Sequence, residues 1–180
     1  MNKRIIGTLA LSGLLAFMPC QGNTNPVKST GTIEVFFSPN GGGTAAVVRE
    51  INEAKSEILV QAYSFTSKPI AQAIVDARKR GVAVEAVLDK SQRSEKYTEA
   101  DFLAHAQIPT WIDAAHAIAH NKIIIIDRKT LITGSFNFTK AAEEKNAENL
   151  LVLRGNKLLV DRYRGNFEAH KDHSEVYNGK

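Results

Sequence analysis

The most informative stretch of the sequence is His-Asn-Lys-Ile-Ile-Ile-Ile-Asp at residues 120–127. Lys122 to Ile126 is almost wholly apolar, which is typical of a strand that is buried on both faces of a sheet. Arg128 and Lys129 then predict a turn into a second strand, Thr130 to Thr133. Strands joined by so short a turn are antiparallel neighbours, which predicts a mixed sheet rather than a purely parallel one.

The rest of the chain alternates strands with amphipathic helices. The whole sequence, at 180 residues, has the length of one domain. Strands are predicted at 32–37, 58–63, 82–88, 109–112 and 149–153, from β-branched and apolar runs. Helical spacing of apolar residues predicts helices after the first two of these strands, and at 96–106, 140–145 and 156–170. This alternation predicts a single α/β domain, with a central mixed β-sheet and helices on both faces.

Polar side chains lie at the ends of the two central predicted strands. His120 and Lys122 are two positions apart, so both side chains can point to the same side of a strand. An imidazole beside a fixed cation suits chemistry on an anion, because the ring can attack or donate a proton while the ammonium holds the charge. Ser135 and Asn137 repeat this spacing and supply neutral donors for phosphate oxygens. Glu148 follows at a position where a carboxylate can hold the imidazole Nδ1–H.

The order and spacing of these residues resemble the signature of the phospholipase D superfamily. The pattern His-x-Lys-x4-Asp is followed, after six residues, by Gly-Ser-x-Asn. Residues 36–39, 62–67 and 80–82 are also similar to those of the short, single-motif bacterial endonucleases of that superfamily. The resemblance extends over essentially the whole chain that follows the N-terminal segment, and it implies a phospholipase D-like α/β/α fold.

The resemblance also implies a role for each matching residue. His120 matches the nucleophile that forms a covalent phosphohistidine, and Glu148 matches the carboxylate that orients this histidine. The residues implied to bind the phosphate are Lys122, Ser135 and Asn137. Gly134 and Asp127 match the remaining motif positions. We expect a structural role for Asp127, because four apolar residues separate it from the phosphate site.

The mechanism implied by the family needs two histidines, one to attack phosphorus and one to protonate the leaving oxygen. Larger members carry two copies of the motif in one chain, whereas this sequence has one. The other histidines, at positions 105, 116, 170 and 173, lack the motif spacing. We therefore expect a two-fold homodimer with a shared active site, in which the second His120 is the general acid.

No metal site and no cofactor are predicted, and the implied hydrolysis is metal-independent. His116 and His120 are four residues apart, which is the spacing of a zinc pair on a helix. However, Ala117 stands where such pairs carry a glutamate, and no third ligand is evident. We interpret the spacing of these two histidines as a coincidence.

Three functions are compatible with the motif residues. The favoured hypothesis is a sequence-nonspecific endonuclease that hydrolyses DNA, with RNA as a second substrate. The second is a phospholipase D that hydrolyses phosphatidyl headgroups with the same chemistry. The third is a catalytically decayed nucleic-acid-binding module, which the intact motif disfavours. The formal net charge of +4 permits a polyanionic substrate without requiring one. Nucleic acid is favoured because the short chain has no evident apolar surface for docking on a membrane.

Residues 1–22 have the features of a secretory signal peptide. Lys3 and Arg4 precede an apolar run from Ile5 to Phe17, and small or polar residues follow. This run is shorter than the roughly 20 residues that a membrane-spanning helix needs, so a retained anchor is the less favoured interpretation. Cys20, the single cysteine, falls within the segment expected to be removed.

We therefore expect an exported protein, periplasmic or secreted, whose mature chain is not stably inserted in a membrane. Residues 23–31 are polar and rich in turn formers, and they predict a linker. Residues 32–180 form the predicted phospholipase D-like catalytic domain. Hydrophobic residues make up 43% of the chain and charged residues 23%, which is the composition of an ordinary globular protein.

Overall fold

The computed structural model describes residues 26–180, so the predicted signal peptide lies outside the described residues. The strands are β1 (Thr32–Phe37), β2 (Glu57–Ala62), β3 (Ala83–Asp89), β4 (Thr110–Asp113), β5 (Lys122–Ile126), β6 (Thr130–Gly134), β7 (Asn149–Arg154) and β8 (Glu175–Tyr177). The helices are α1 (Gly43–Glu53), α2 (Lys68–Lys79), α3 (Ala100–His105), α4 (Lys140–Glu144) and α5 (Lys157–Asp172), with a 3-10 helix at Lys90–Arg93. Between residues 26 and 180, no helix is both long and apolar enough to cross a membrane.

The eight strands form one sheet in the order β1-β7-β6-β5-β2-β3-β4-β8. β2, β3 and β4 are parallel neighbours, and every other neighbouring pair is antiparallel. β5 and β6 are antiparallel across the turn that the sequence predicts after Ile126. The prediction of a mixed sheet in a single α/β domain is confirmed.

Helices cover both faces of this sheet, which confirms the predicted layer order. The larger core lies between the sheet and the first helices of the chain, whose buried residues include Ile51 from α1, Ile74 from α2 and Leu103 from α3. On the opposite face, α5 buries Val160 and Phe167 against a second apolar cluster. In β5, Ile124 belongs to the first cluster, whereas Ile123 and Ile125 belong to the second. A strand between two helical layers needs apolar residues on both faces, which explains the run of isoleucines.

Several local features differ from the sequence predictions. Helix α3 begins at Ala100 rather than at residue 96. The 3-10 helix and β8 were not predicted; the first is capped by Asp89, whose carboxylate accepts a hydrogen bond from the Ser91 N–H at 2.8 Å. Ser135 and Asn137 lie beyond β6, which ends at Gly134, so they are loop residues rather than strand residues.

The described part of the predicted linker, residues 26–31, contains no helix and no strand. It nevertheless contacts the domain beside the turn between β7 and α5. The Thr30 hydroxyl donates to the Gly155 carbonyl at 3.1 Å, and the Asn156 side-chain amide donates to the Lys28 carbonyl at 3.0 Å. These hydrogen bonds hold the start of the described chain against the edge of the sheet that contains β1.

Candidate active site

The motif residues converge at one end of the sheet. β5 starts at this end, where Lys122 lies opposite Ala62, the last residue of β2. β6 runs in the opposite direction and ends here at Gly134, which is paired with Leu150 of β7. The strand order therefore brings the start of β5, the end of β6 and the start of β7 together, although these residues are separated in the chain.

His120 and Lys122 lie against the same aromatic ring. The ring centroids of His120 and Tyr63 are 4.6 Å apart, with 51° between their planes. The Lys122 Nζ is 5.1 Å from the centroid of Tyr63, and it donates a hydrogen bond to the His120 carbonyl at 2.9 Å. Sequence analysis missed Tyr63. The available signal was its position directly after β2, the strand beside β5.

Lys122 is a buried cation with few partners among the described side chains. The residue is only 6% exposed. Burial lowers the pKa of Lys122 from 10.5 to about 8, although the negative charge of Glu148 opposes this shift. An ammonium that is poorly solvated, and that lies at the end of a strand, is suited to bind an anion arriving from solvent.

Ser135 and Asn137 lie in the loop that follows β6. The Ser135 hydroxyl accepts a hydrogen bond from the Asn149 N–H at 3.0 Å, so its own proton remains available for a substrate oxygen. The side-chain Oδ1 of Asn137 is buried and has no hydrogen-bond partner among the described residues. A buried amide oxygen without a partner is unusual. Because Oδ1 can only accept a hydrogen bond, donation from this residue to a phosphate oxygen falls to its Nδ2 group.

Glu148 is held at the start of β7 but is not hydrogen-bonded to His120. Its N–H donates to the Ser38 hydroxyl at 3.2 Å, and its carbonyl accepts from the Ser38 N–H at 3.0 Å. Its carboxylate accepts a hydrogen bond from the Asn146 side chain at 3.0 Å. Its negative charge favours the protonated form of Lys122 and so acts to raise the pKa of that residue. Its orientation of the imidazole stays a prediction.

Gly134 is required by the close approach of β7. A Cβ atom at this position would lie 2.2 Å from the Asn149 carbonyl oxygen, and the residue has a φ of 147°. Any side chain would push the strands apart. The glycine of the motif therefore allows the loop of Ser135 and Asn137 to fold tightly beside the start of β7.

Asp127 lies at the opposite end of β5 and binds backbone. Its carboxylate accepts hydrogen bonds from the N–H groups of Lys55, Ser56 and Glu57, at 2.7–3.0 Å. Burial alone would raise the pKa of Asp127, but these hydrogen bonds and one from the Ser56 hydroxyl hold it below its ordinary value of 3.8. These contacts support the structural role expected for the residue, since they tie the turn before β2 to the end of β5.

Replacing Asp127 by asparagine is expected to lower the free energy of unfolding at pH 7 by about 1.5–3 kcal/mol, because hydrogen bonds to a charged acceptor are lost. Asparagine tolerates the left-handed backbone of this residue, whose φ is 52°. The folded pKa lies below the unfolded value, so the stabilisation is present above that value and is lost as the pH falls through the folded pKa. Denaturant unfolding at pH 7 and in acid measures the difference. Exposed Asp161→Asn is the control, and equal stability of Asp127→Asn and wild type at pH 7 contradicts this role.

His116 does not pair with His120. It lies instead with Asp113, His170 and His173, whose potential ligand atoms are all within 4.8 Å of one another. The sequence analysis sought further ligands only for the pair of His116 and His120, and it did not consider this group. The missed signal was a pair of three-residue spacings, Asp113 to His116 and His170 to His173, which are far apart in the chain. This cluster shares no residue with the motif.

The mixed sheet, with an imidazole, a buried ammonium and hydroxyl and amide groups at one end, is the framework of a phosphodiester hydrolase. Residues 47–171 match the family model described as cardiolipin synthase, PLD-like domain. The chain therefore belongs to the phospholipase D superfamily.

Relatives and solved structures agree with this assignment. The chain is 38% identical over 152 residues to phospholipase D of Rickettsia typhi, which covers 84% of this chain and 74% of the relative. The crystal structure of Nuc from Salmonella typhimurium, a phospholipase D family member, superposes with a TM-score of 0.79 at 36% identity and covers 82% of this chain and 99% of that one. NucT from Helicobacter pylori has the same fold, with a TM-score of 0.75 at 22% identity over 81% of this chain and 99% of that one.

Proposed function

We propose that this phosphodiester hydrolase is a metal-independent, sequence-nonspecific endonuclease that cleaves DNA or RNA through a phosphohistidine on His120. The observation that carries the proposal is the placement of His120 and the buried Lys122 against one ring, Tyr63, at the end of the sheet. The Lys122 ammonium meets the charge of the phosphate, and Ser135 and Asn137 donate to its oxygens. No metal is needed at the reacting phosphate.

The reaction proceeds in two displacements at phosphorus. The neutral imidazole of His120 forms a P–N bond while the bond from phosphorus to the leaving oxygen breaks. That oxygen takes a proton from the partner subunit's His120, which thereby becomes neutral. Water then attacks phosphorus and gives its proton to that second imidazole. The P–N bond breaks, and both imidazoles return to their starting protonation states.

A homodimer supplies the second imidazole. Ile33, Val35 and Phe37 project from one face of β1 and are 50%, 48% and 68% exposed. We refer to these three residues as the β1 strip. The strip leads towards the active-site end, since Phe37 precedes Ser38, which is hydrogen-bonded to Glu148. Edge strands with exposed apolar residues are suited to association, and we assign this strip to contact with a second copy of the chain.

Exposed lysines support a polyanionic substrate. Lys68, Lys90 and Lys140 follow the ends of β2, β3 and β6 closely, and all three are exposed. These strand ends lie at the same end of the sheet as His120, because β2, β3 and β6 run in one direction. Lysines spread along this end can contact successive phosphates of a nucleic acid, which a single lipid headgroup does not offer.

A phospholipase D acting on phosphatidyl headgroups is the second candidate. It is favoured by the Rickettsia typhi relative, which is named phospholipase D and is 38% identical to this chain. The same imidazole and ammonium would act on the diester of a lipid. A decayed binding module is less favoured, because all the motif residues are present and the Rickettsia typhi relative is named as an enzyme.

One preparation, assayed in parallel on three substrates, distinguishes the candidates. The substrates are plasmid DNA, structured RNA and phosphatidylcholine vesicles, and each assay contains a chelator and is run well below the unfolding temperature. We expect rapid cleavage of nucleic acid, products from many sequence positions, and headgroup release at the background rate. Fast headgroup release without cleavage of nucleic acid assigns the phospholipase activity instead. Activity that the chelator abolishes and added magnesium restores contradicts the metal-independent mechanism.

A further inference from the structure

Four potential metal ligands meet at the loop between β4 and β5, although they come from two distant parts of the chain. Asp113 ends β4, and His116 lies in the loop that leads to β5. His170 lies in the last turn of α5, and His173 directly follows that helix. Pairing of β8 with β4 folds the end of α5 back over Asp113, which brings the two parts together.

All three imidazoles direct a ring nitrogen at the same carboxylate. The His170 Nδ1 is 2.6 Å from an oxygen of Asp113, the His116 Nδ1 is 3.1 Å from each oxygen, and the His173 Nε2 is 3.3 Å away. The Asp113 side chain is fully buried.

The ring centroids of the three histidines are 4.8–5.3 Å apart. Imidazole binds a metal in its neutral form through a ring nitrogen, and each of these rings directs one nitrogen towards Asp113. Zinc takes imidazole nitrogens and carboxylate oxygens at about 2.0–2.2 Å, which places tetrahedral ligand atoms roughly 3.3 Å apart. The contacts of His116 and His173 with Asp113, at 3.1 and 3.3 Å, are close to this spacing, whereas the 2.6 Å contact of His170 would lengthen when a metal binds.

We propose that Asp113, His116, His170 and His173 form a Zn²⁺ site. Four protein ligands complete a tetrahedral set, which is typical of a structural rather than a catalytic zinc. Asp113 ends β4, which is three strands away from β5 in the sheet. Neighbouring strands are about 4.7–4.9 Å apart, so the site lies roughly 14 Å from the motif residues.

The ion would hold the loop between β4 and β5, which contains His120, to the end of α5. His116 is four residues before His120 in the same loop. A second contact already holds this loop, since the Lys90 Nζ donates to the His116 carbonyl at 3.0 Å. Zinc adds a cross-link to α5 without contacting the reacting phosphate. The inference does not depend on the proposed endonuclease activity.

The test uses untagged protein that has been stripped with a chelator and then titrated with Zn²⁺. We expect one Zn²⁺ per chain and a rise in Tm of roughly 5–10 °C at a hundredfold excess over Kd. Co²⁺ is expected to give the intense visible bands of a tetrahedral site. His116→Ala and His173→Ala, which alter partly exposed side chains, should each weaken Zn²⁺ binding at least about tenfold. His105→Ala, outside the cluster, is the control and should bind as wild type does.

Two results overturn the site: wild-type protein that binds no stoichiometric Zn²⁺, or His116→Ala and His173→Ala variants that retain wild-type affinity. The first result would leave the cluster as imidazoles bound to Asp113 by hydrogen bonds alone. If either variant does not fold, the Co²⁺ spectrum of the wild type decides between tetrahedral and six-coordinate binding. Because metal content and Tm are measured without substrate, failure of this site is distinguishable from failure of the proposed nuclease.

Discussion

The variant His120→Ala is expected to lose phosphodiesterase activity by on the order of 10⁴-fold or more, because a dimer of this variant lacks both the nucleophile and the general acid. Wild-type enzyme quenched in acid during a single turnover should retain substrate phosphorus on His120. His105→Ala is the matched control, since His105 is exposed and its Nε2 lies 3.1 Å from the Lys180 carbonyl oxygen, outside the motif. Near-wild-type activity in folded His120→Ala would exclude His120 as the nucleophile.

Mixtures of wild type with His120→Ala test whether the active site is shared. If each dimer needs two intact histidines, activity after random subunit exchange follows the square of the wild-type fraction. An equal mixture then keeps about a quarter of the activity, whereas independent sites keep about half. Co-purification of differently tagged subunits establishes that exchange has occurred. A linear dependence on the wild-type fraction, with exchange established, rules out the shared site.

The same preparations test the β1 strip as the contact between subunits. Val35 is 48% exposed and lies in the middle of this strip. Val35→Asp should shift the protein from dimer to monomer in size-exclusion chromatography, because two carboxylates would meet across the two-fold axis. A variant that remains dimeric assigns the contact to another surface.

The variant Lys122→Ala is expected to lose about 10²- to 10³-fold in kcat, which corresponds to the roughly 2.7–4 kcal/mol that one well-aimed donor contributes to a charged transition state. Because the pKa of Lys122 is lowered to about 8, wild-type kcat/KM should fall as the pH rises through that value and the ammonium loses its proton. The sign follows from the chemistry, since only the protonated form attracts the phosphate. A pH–rate profile between pH 6 and about 10 measures this limb.

Two further variants make the Lys122 experiment specific. Lys129→Ala removes an exposed lysine at the far end of the same strand pair and should leave the activity unchanged. Lys122→Arg keeps a cation that does not lose its proton in this range, so any activity it retains should lack the limb near pH 8. Folded Lys122→Ala that stays within tenfold of wild type contradicts the assigned role.

Local pattern was sufficient to predict much of this domain from its sequence. The strand Lys122–Ile126 was predicted with the bounds that the structure gives. An apolar run of this length between polar residues is long enough for a buried strand and too short for most helices. The alternation of strands and helices predicted the α/β class for the same reason. The motif identified the superfamily, since six residue types at set spacings rarely occur together by chance.

Tertiary structure decided which distant residues meet. Tyr63 contacts His120 and Lys122 because β2 is the neighbour of β5, and the strand order cannot be read from a local pattern. Asp113 and His170 are joined by the return of β8 to β4, a strand of three residues that carries almost no signal of its own. Hydrophobic periodicity acts over a few residues of one segment, whereas these contacts depend on how whole layers pack. The sequence therefore determined the fold class and the candidate reactive residues, and packing alone determined the ring beside them and the histidine cluster.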